Sequence, residues 1–165
     1  MGDLPLHPAV VHIPLGVAFL MPILVAILAL GVRRTAFPRK TWLLPIVAQV
    51  VLVASGFVGM QSGENEEDRA EQVVAKAGIH DHERAAKVFT YSAAGGLVIL
   101  VAAAVVPVKA AGWFALLAFL ASLGVAGMGA YAGHLGGKLV YRDGAAAAYA
   151  QPGKAAPARE ENEHR

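Results

Sequence analysis

The chain of 165 residues contains no cysteine. That absence excludes disulfides, thiolate metal sites, iron–sulfur clusters and covalently attached c-type haem, all of which need sulfur. A bound metal would have to be held by imidazole, carboxylate or thioether. Charge is also sparse and is missing from four stretches: Ile13 to Val32, Thr41 to Met60, Val88 to Val108 and Ala110 to Gly133. There is no phosphate-binding glycine loop, no Ser-His-Asp spacing worth pursuing and no internal repeat, so neither a catalytic nucleophile nor a nucleic-acid partner is expected. The charge-free stretches lack the period-two alternation of membrane β-strands, which leaves helices as the form that satisfies every backbone polar group in lipid. Gln49 is the only strongly polar side chain at mid-depth, and one amide makes no path for an ion. A channel or pump is therefore disfavoured.

What is present follows from those four stretches. Each is long enough for a helix to cross ~30 Å of hydrocarbon, and four in so short a chain leave nothing to cover them except lipid. The expected fold class is an all-α membrane protein, an up-down-up-down bundle of four transmembrane helices. Residues 1–144 form the membrane domain, with spans at about 10–32, 41–61, 82–107 and 111–135. The segment 64–77 is rich in Glu, Ala and Lys and reads as an amphipathic helix on the membrane surface, ended by Gly78, with Asp81 as N-cap of the third span. Residues 145–165 are Ala, Pro, Gly and charge without pattern, and read as a disordered tail.

Lys and Arg give the orientation. Arg33, Arg34, Arg39 and Lys40 lie between the first two spans and Lys109 between the last two, while Glu64, Glu66, Glu67, Asp68, Glu71, Asp81 and Glu83 lie on the other side. The basic side is expected to face the cytoplasm. Both termini then face outward, into the periplasm of a bacterial inner-membrane protein. No cleavable signal peptide is expected, because the first apolar run is too long and Asp3 stands where such peptides are basic.

An even number of crossings brings the start of span 1, the end of span 2, the start of span 3 and the end of span 4 to one interface. His7, His12, His80, His82 and His134 all fall there. His7 and His80 read as solvated, whereas His12, His82 and His134 adjoin apolar spans. Gly16 follows His12 by one turn and Ala86 follows His82. His134 sits beside a stripe of Gly129, Gly133 and Gly137, with Phe19, Phe89 and Tyr131 as aromatic walls. These features suggest haem b ligated by His12 and His82, with His134 as an alternate ligand, in an electron-transfer protein that exchanges electrons with a membrane donor such as quinol and an outer-face acceptor. Two alternatives stand beside it. Two or three of these histidines with a carboxylate would bind Zn or Cu; or the chain carries no cofactor and is an accessory subunit of a larger respiratory or transport complex.

Three patches carry a resemblance: His7-Pro8-Ala9-Val10-Val11-His12-Ile13-Pro14, the start of span 3 led by His82, and Gly133-His134-Leu135-Gly136-Gly137-Lys138-Leu139-Val140-Tyr141-Arg142. Over roughly residues 5–145 the chain resembles the bacterial four-helix membrane proteins filed as domain of unknown function 2231. The resemblance implies the four-helix fold and leaves function open. Family members continue the last motif with a second glycine-valine stretch, whereas Asp143-Gly144-Ala145 here runs into alanines.

Overall fold

Four long helices account for almost all of the computed structural model, which describes residues 6–34 and 36–149. They are α1 His7–Arg33, α2 Arg39–Glu64, α3 Lys76–Val105 and α4 Val108–Tyr141, each long and apolar enough to cross a membrane. Each packs against its two neighbours in a ring, α1 on α2, α2 on α3, α3 on α4 and α4 on α1. No strand occurs among the described residues.

One rule places the core. Among the buried positions are Pro14, Ala18, Met21, Val25 and Leu28 on α1; Pro45, Gln49, Leu52, Gly56 and Gly59 on α2; Phe89, Ala93, Gly96, Leu100 and Ala103 on α3; and Ala118, Ser122, Val125, Gly129 and Ala132 on α4. Along these positions steps of three and four alternate, the spacing of left-handed helix packing. Small residues dominate because apolar side chains gain little from leaving lipid, so close backbone approach and dispersion must hold the helices together. Phe19, Leu20, Ile23 and Ile27 on α1, and many like them on the other helices, remain exposed on the outer faces.

Polar side chains in the core bridge helices or their own backbone. Gln49 Nε2 donates to the Ala93 carbonyl at 2.7 Å, and a Cβ on Gly96 would come within 3.2 Å of that nitrogen. Thr90 lies over Gly56, where a Cβ would meet its hydroxyl at 3.0 Å. Gln49→Leu should therefore cost about 0.6 kcal/mol and at most about 1.7, the range for hydrogen bonds between membrane helices; equilibrium unfolding in mixed micelles measures it. At the basic end, the Arg39 guanidinium donates to the Ala104 and Val106 carbonyls at 3.2 and 2.6 Å. It thereby satisfies the free C-terminal carbonyls of α3.

The connections differ from the sequence expectation in three places. Instead of one surface helix over 64–77, the chain makes a single helical turn, Glu67–Ala70, and then enters α3 at Lys76. Gly78 does not stop a helix and Asp81 does not cap one; both lie within α3. Gly78 is tolerated because it occupies the first turn, and its missing Cβ makes room for Leu139 of α4, which would lie 3.2 Å away. Likewise α4 stays helical through Tyr141, its glycines at 136 and 137 being outweighed by packing against α3. Finally, the first residues of the expected tail fold: Gly144 at φ +85° turns the chain into a 3₁₀ segment, Ala145–Tyr149. His164 lies outside the described residues.

Candidate histidine site at one end of the bundle

Counting back along the packing rule identifies which histidines face inward. His7 precedes buried Pro14 by seven residues and His82 precedes buried Phe89 by seven, so each continues the interior face of its helix. His12 lies two residues from Pro14, and His134 two from Ala132. Two residues correspond to a rotation of about 200°, which turns both rings outward.

The structure places them accordingly. His12 is exposed, its Nδ1 bonded within its own helix to the Pro8 carbonyl. His134 and Gly133 are exposed, as is Gly16, which has nothing near it on that side. Ala86 is only half buried, the adjacent Ala85 taking the interior position. Of the expected aromatic walls, Phe89 is buried while Phe19 and Tyr131 are exposed. The expected cleft between His12 and His82 is therefore not what the helices form: sharing one end of the bundle is not enough, and rotation about the helix axis decides which rings meet.

What they form instead is a junction of His7 and His82. Their ring centres are 6.0 Å apart with planes at 84°, so the contact crosses the bundle diagonal from α1 to α3. The His7 Nδ1–H donates to the Gly59 carbonyl of α2 at 2.9 Å and lies 3.1 Å from the Ser62 hydroxyl, which itself donates to Gly59 at 2.8 Å. The His82 Nδ1–H donates to the Ala132 carbonyl of α4 at 3.1 Å. Carbonyls only accept, so Nδ1 carries a hydrogen in each ring, and in the neutral form Nε2 holds the lone pair. Glycines seat the rings. A Cβ at Gly63 would come within 3.2 Å of His7, and one at Gly136 within 3.0 Å of His82. Two side chains thus tie all four helices together at this end.

Glu66 holds the start of α1 in place. Its Oε1 accepts from the backbone N–H groups of Leu6 and His7 at 2.9 and 3.2 Å, satisfying donors that the first turn of a helix leaves free and opposing its positive end. Its Oε2 accepts from the Tyr149 hydroxyl at 2.9 Å, and the Arg69 guanidinium lies 5.6 Å from the Tyr149 ring centre. Burial, and after it the Glu66 hydrogen bond, push the Tyr149 hydroxyl up to about 12. The folded protein thus holds this proton more tightly than the unfolded chain, in which tyrosine titrates near ~10. The resulting stability is complete below that pH and is lost as pH rises through about 12. In a phenolate absorbance titration, Glu66→Gln should lower the Tyr149 step only part of the way, because burial, the larger cause, remains.

Outside this junction, Glu67, Glu71 and His80 bring one ligand atom each to within 4.8 Å of one another. His80 stands in α3 and is exposed, two residues and so about 200° around the helix from His82.

The family described as predicted membrane protein (DUF2231) matches residues 3–148. No match is found among curated proteins or solved structures.

Proposed function

From the premise that the chain belongs to the DUF2231 family of predicted membrane proteins, we propose that it binds a transition-metal ion between His7 and His82. The observation that carries this reading is the anchoring of both rings through Nδ1–H to backbone carbonyls. Metal-ligating histidines are commonly held this way, because the bond fixes the tautomer and aims the opposite nitrogen. Their spacing agrees. With Nε2–metal bonds of ~2.0–2.1 Å each ring centre lies about 3.2 Å from the ion, so two centres lie between about 5.2 Å at a tetrahedral angle and about 6.4 Å in line. The 6.0 Å found falls inside that interval. Imidazole donors suit Zn²⁺ and Cu²⁺, water completing the coordination.

A haem b held by the same pair would give the electron-transfer role, with quinol as a candidate donor. Packing favours the bare ion. A porphyrin needs a slot between backbones, and the glycines available for one are covered, Gly129 by Phe89 and Leu15, Gly56 by Thr90, Gly63 and Gly136 by the histidines themselves. The deciding experiment is elemental analysis of the purified protein together with its visible spectrum. A colourless preparation that takes up Zn²⁺ or Cu²⁺ stoichiometrically supports the ion. A Soret band that sharpens on dithionite replaces it with haem, and neither result leaves a cofactor-free accessory subunit.

The histidine end is assigned to the outside, in the periplasm of a bacterial inner membrane, because the short connections at the other end hold Arg33, Arg34, Arg39, Lys40 and Lys109 without an acid, whereas on the histidine side Arg69, Lys76, Arg84 and Lys87 are offset by Glu64, Glu66, Glu67, Asp68, Glu71, Asp81 and Glu83. A cysteine at Ala36, in the connection between α1 and α2, is expected to resist an impermeant thiol reagent in intact cells and to react after lysis. Labelling before lysis would reverse the orientation.

A further inference from the structure

We infer that Glu67, Glu71 and His80 form a second site, for a divalent transition-metal ion, at the surface of the connection between α2 and α3. Glu67 lies in the single turn Glu67–Ala70 and Glu71 just after it, so the two carboxylates stand four residues apart. His80 comes from the beginning of α3. Two like charges at this spacing repel, and the chain neutralises only part of the pair: Lys76 Nζ lies 2.7 Å from Glu71 Oε2. His80 Nε2 stands 3.7 Å from Glu67 Oε1, too far for a hydrogen bond. That separation is close to the ~3.4 Å between neighbouring donors around a tetrahedral ion with bonds of ~2.1 Å. The three donor atoms lie within 4.8 Å of one another, so rotamer adjustments of the exposed His80 and the two partly buried carboxylates suffice to close them on an ion.

The imidazole distinguishes this group from an acidic patch. Carboxylates alone suit Ca²⁺ or Mg²⁺, whereas one imidazole with two carboxylates is a donor set for Zn²⁺ and its neighbours, with water at the remaining position. An ion here would fasten the connection to α3. Glu66, adjacent to Glu67, would be steadied on the start of α1 and so on His7. The site shares no residue with the His7–His82 junction, so the two stand or fall separately.

The test is equilibrium dialysis of Zn²⁺ against the full chain in detergent, comparing wild type with His80→Ala and Glu71→Gln. The side chains of His80 and Glu71 are 61% and 22% exposed, and a melting curve for each variant checks that the fold is retained. Each variant is expected to lose one Zn²⁺ equivalent, its affinity falling by about tenfold or more, while a His7→Ala/His82→Ala protein keeps that equivalent. Should Zn²⁺ uptake be the same in wild type, His80→Ala and Glu71→Gln, the site is overturned, whatever His7 and His82 bind. It is equally overturned if Ca²⁺ displaces the ion at matched concentration and His80→Ala makes no difference, because the group is then only a patch of negative charge.

Discussion

His82→Ala is expected to lower Zn²⁺ or Cu²⁺ affinity at the bundle end by about 100-fold or more, since losing a ligand exceeds the 10–100-fold cost of losing its hydrogen-bond partner. His7→Ala should do the same, whereas His12→Ala and His134→Ala should leave binding unchanged. The contrast matters more than either loss. All four histidines lie at the same end of the bundle, so a nonspecific surface effect would spread over them. Only an interior site separates His7 and His82, which continue the buried faces of α1 and α3, from His12 and His134, which are exposed. The backbone anchors provide a finer check. Ser62→Ala removes a hydroxyl 3.1 Å from His7 Nδ1 but leaves the Gly59 carbonyl in place, so its effect should be smaller than that of losing the ring. Metal titrations of the five proteins, each checked for an unchanged melting curve, measure this series. Equal loss in His12→Ala and His82→Ala would remove the proposed junction.

The gathering of histidines was legible because it needs only the number of crossings. Four charge-free runs deliver His7, His12, His80, His82 and His134 to one end whatever the helices' rotations. The choice among them was not legible in the same way, because it depends on which face of each helix is buried. In lipid both faces are apolar, so the usual hydrophobic contrast between core and surface vanishes and only size distinguishes them. His12 looked better placed than His7 because it adjoins the first apolar span, whereas His7 reads as solvated. In fact α1 runs from His7, its first N–H groups met by Glu66 from a distant segment, a contact no local pattern announces. The signal that was available is the seven-residue step: His7 to Pro14 and His82 to Phe89 on α1 and α3, matching Pro45 to Leu52 on α2.

The same step decides the second large effect. Gly129→Leu is expected to destabilise the bundle by about 1–3 kcal/mol or more, the usual range for overpacking a close-packed core, and Gly133→Leu to cost far less. By sequence the two glycines are equivalent members of the four-residue stripe Gly129, Gly133, Gly137. A step of four overshoots a full turn by about 40°, so such a stripe drifts around the helix, and alternating threes and fours are needed to stay on one face. Gly129 is on the buried face and Gly133 is not. A Cβ at Gly129 would lie 3.0 Å from the Phe89 ring of α3 and 3.2 Å from Leu15 of α1, whereas one at Gly133 would meet only Leu15, at 3.7 Å. Gly129 is thus where three helices converge, and a branched side chain there must part α4 from both neighbours. Separation at that level would also carry Ala132, one turn along α4, away from His82, so Gly129→Leu should weaken metal binding although it touches neither ligand. Unfolding in mixed micelles and Zn²⁺ titration of the two leucine variants would report both consequences. If Gly133→Leu proves the more damaging, α4 presents a different face to the bundle, and the placement of His82 against it fails as well.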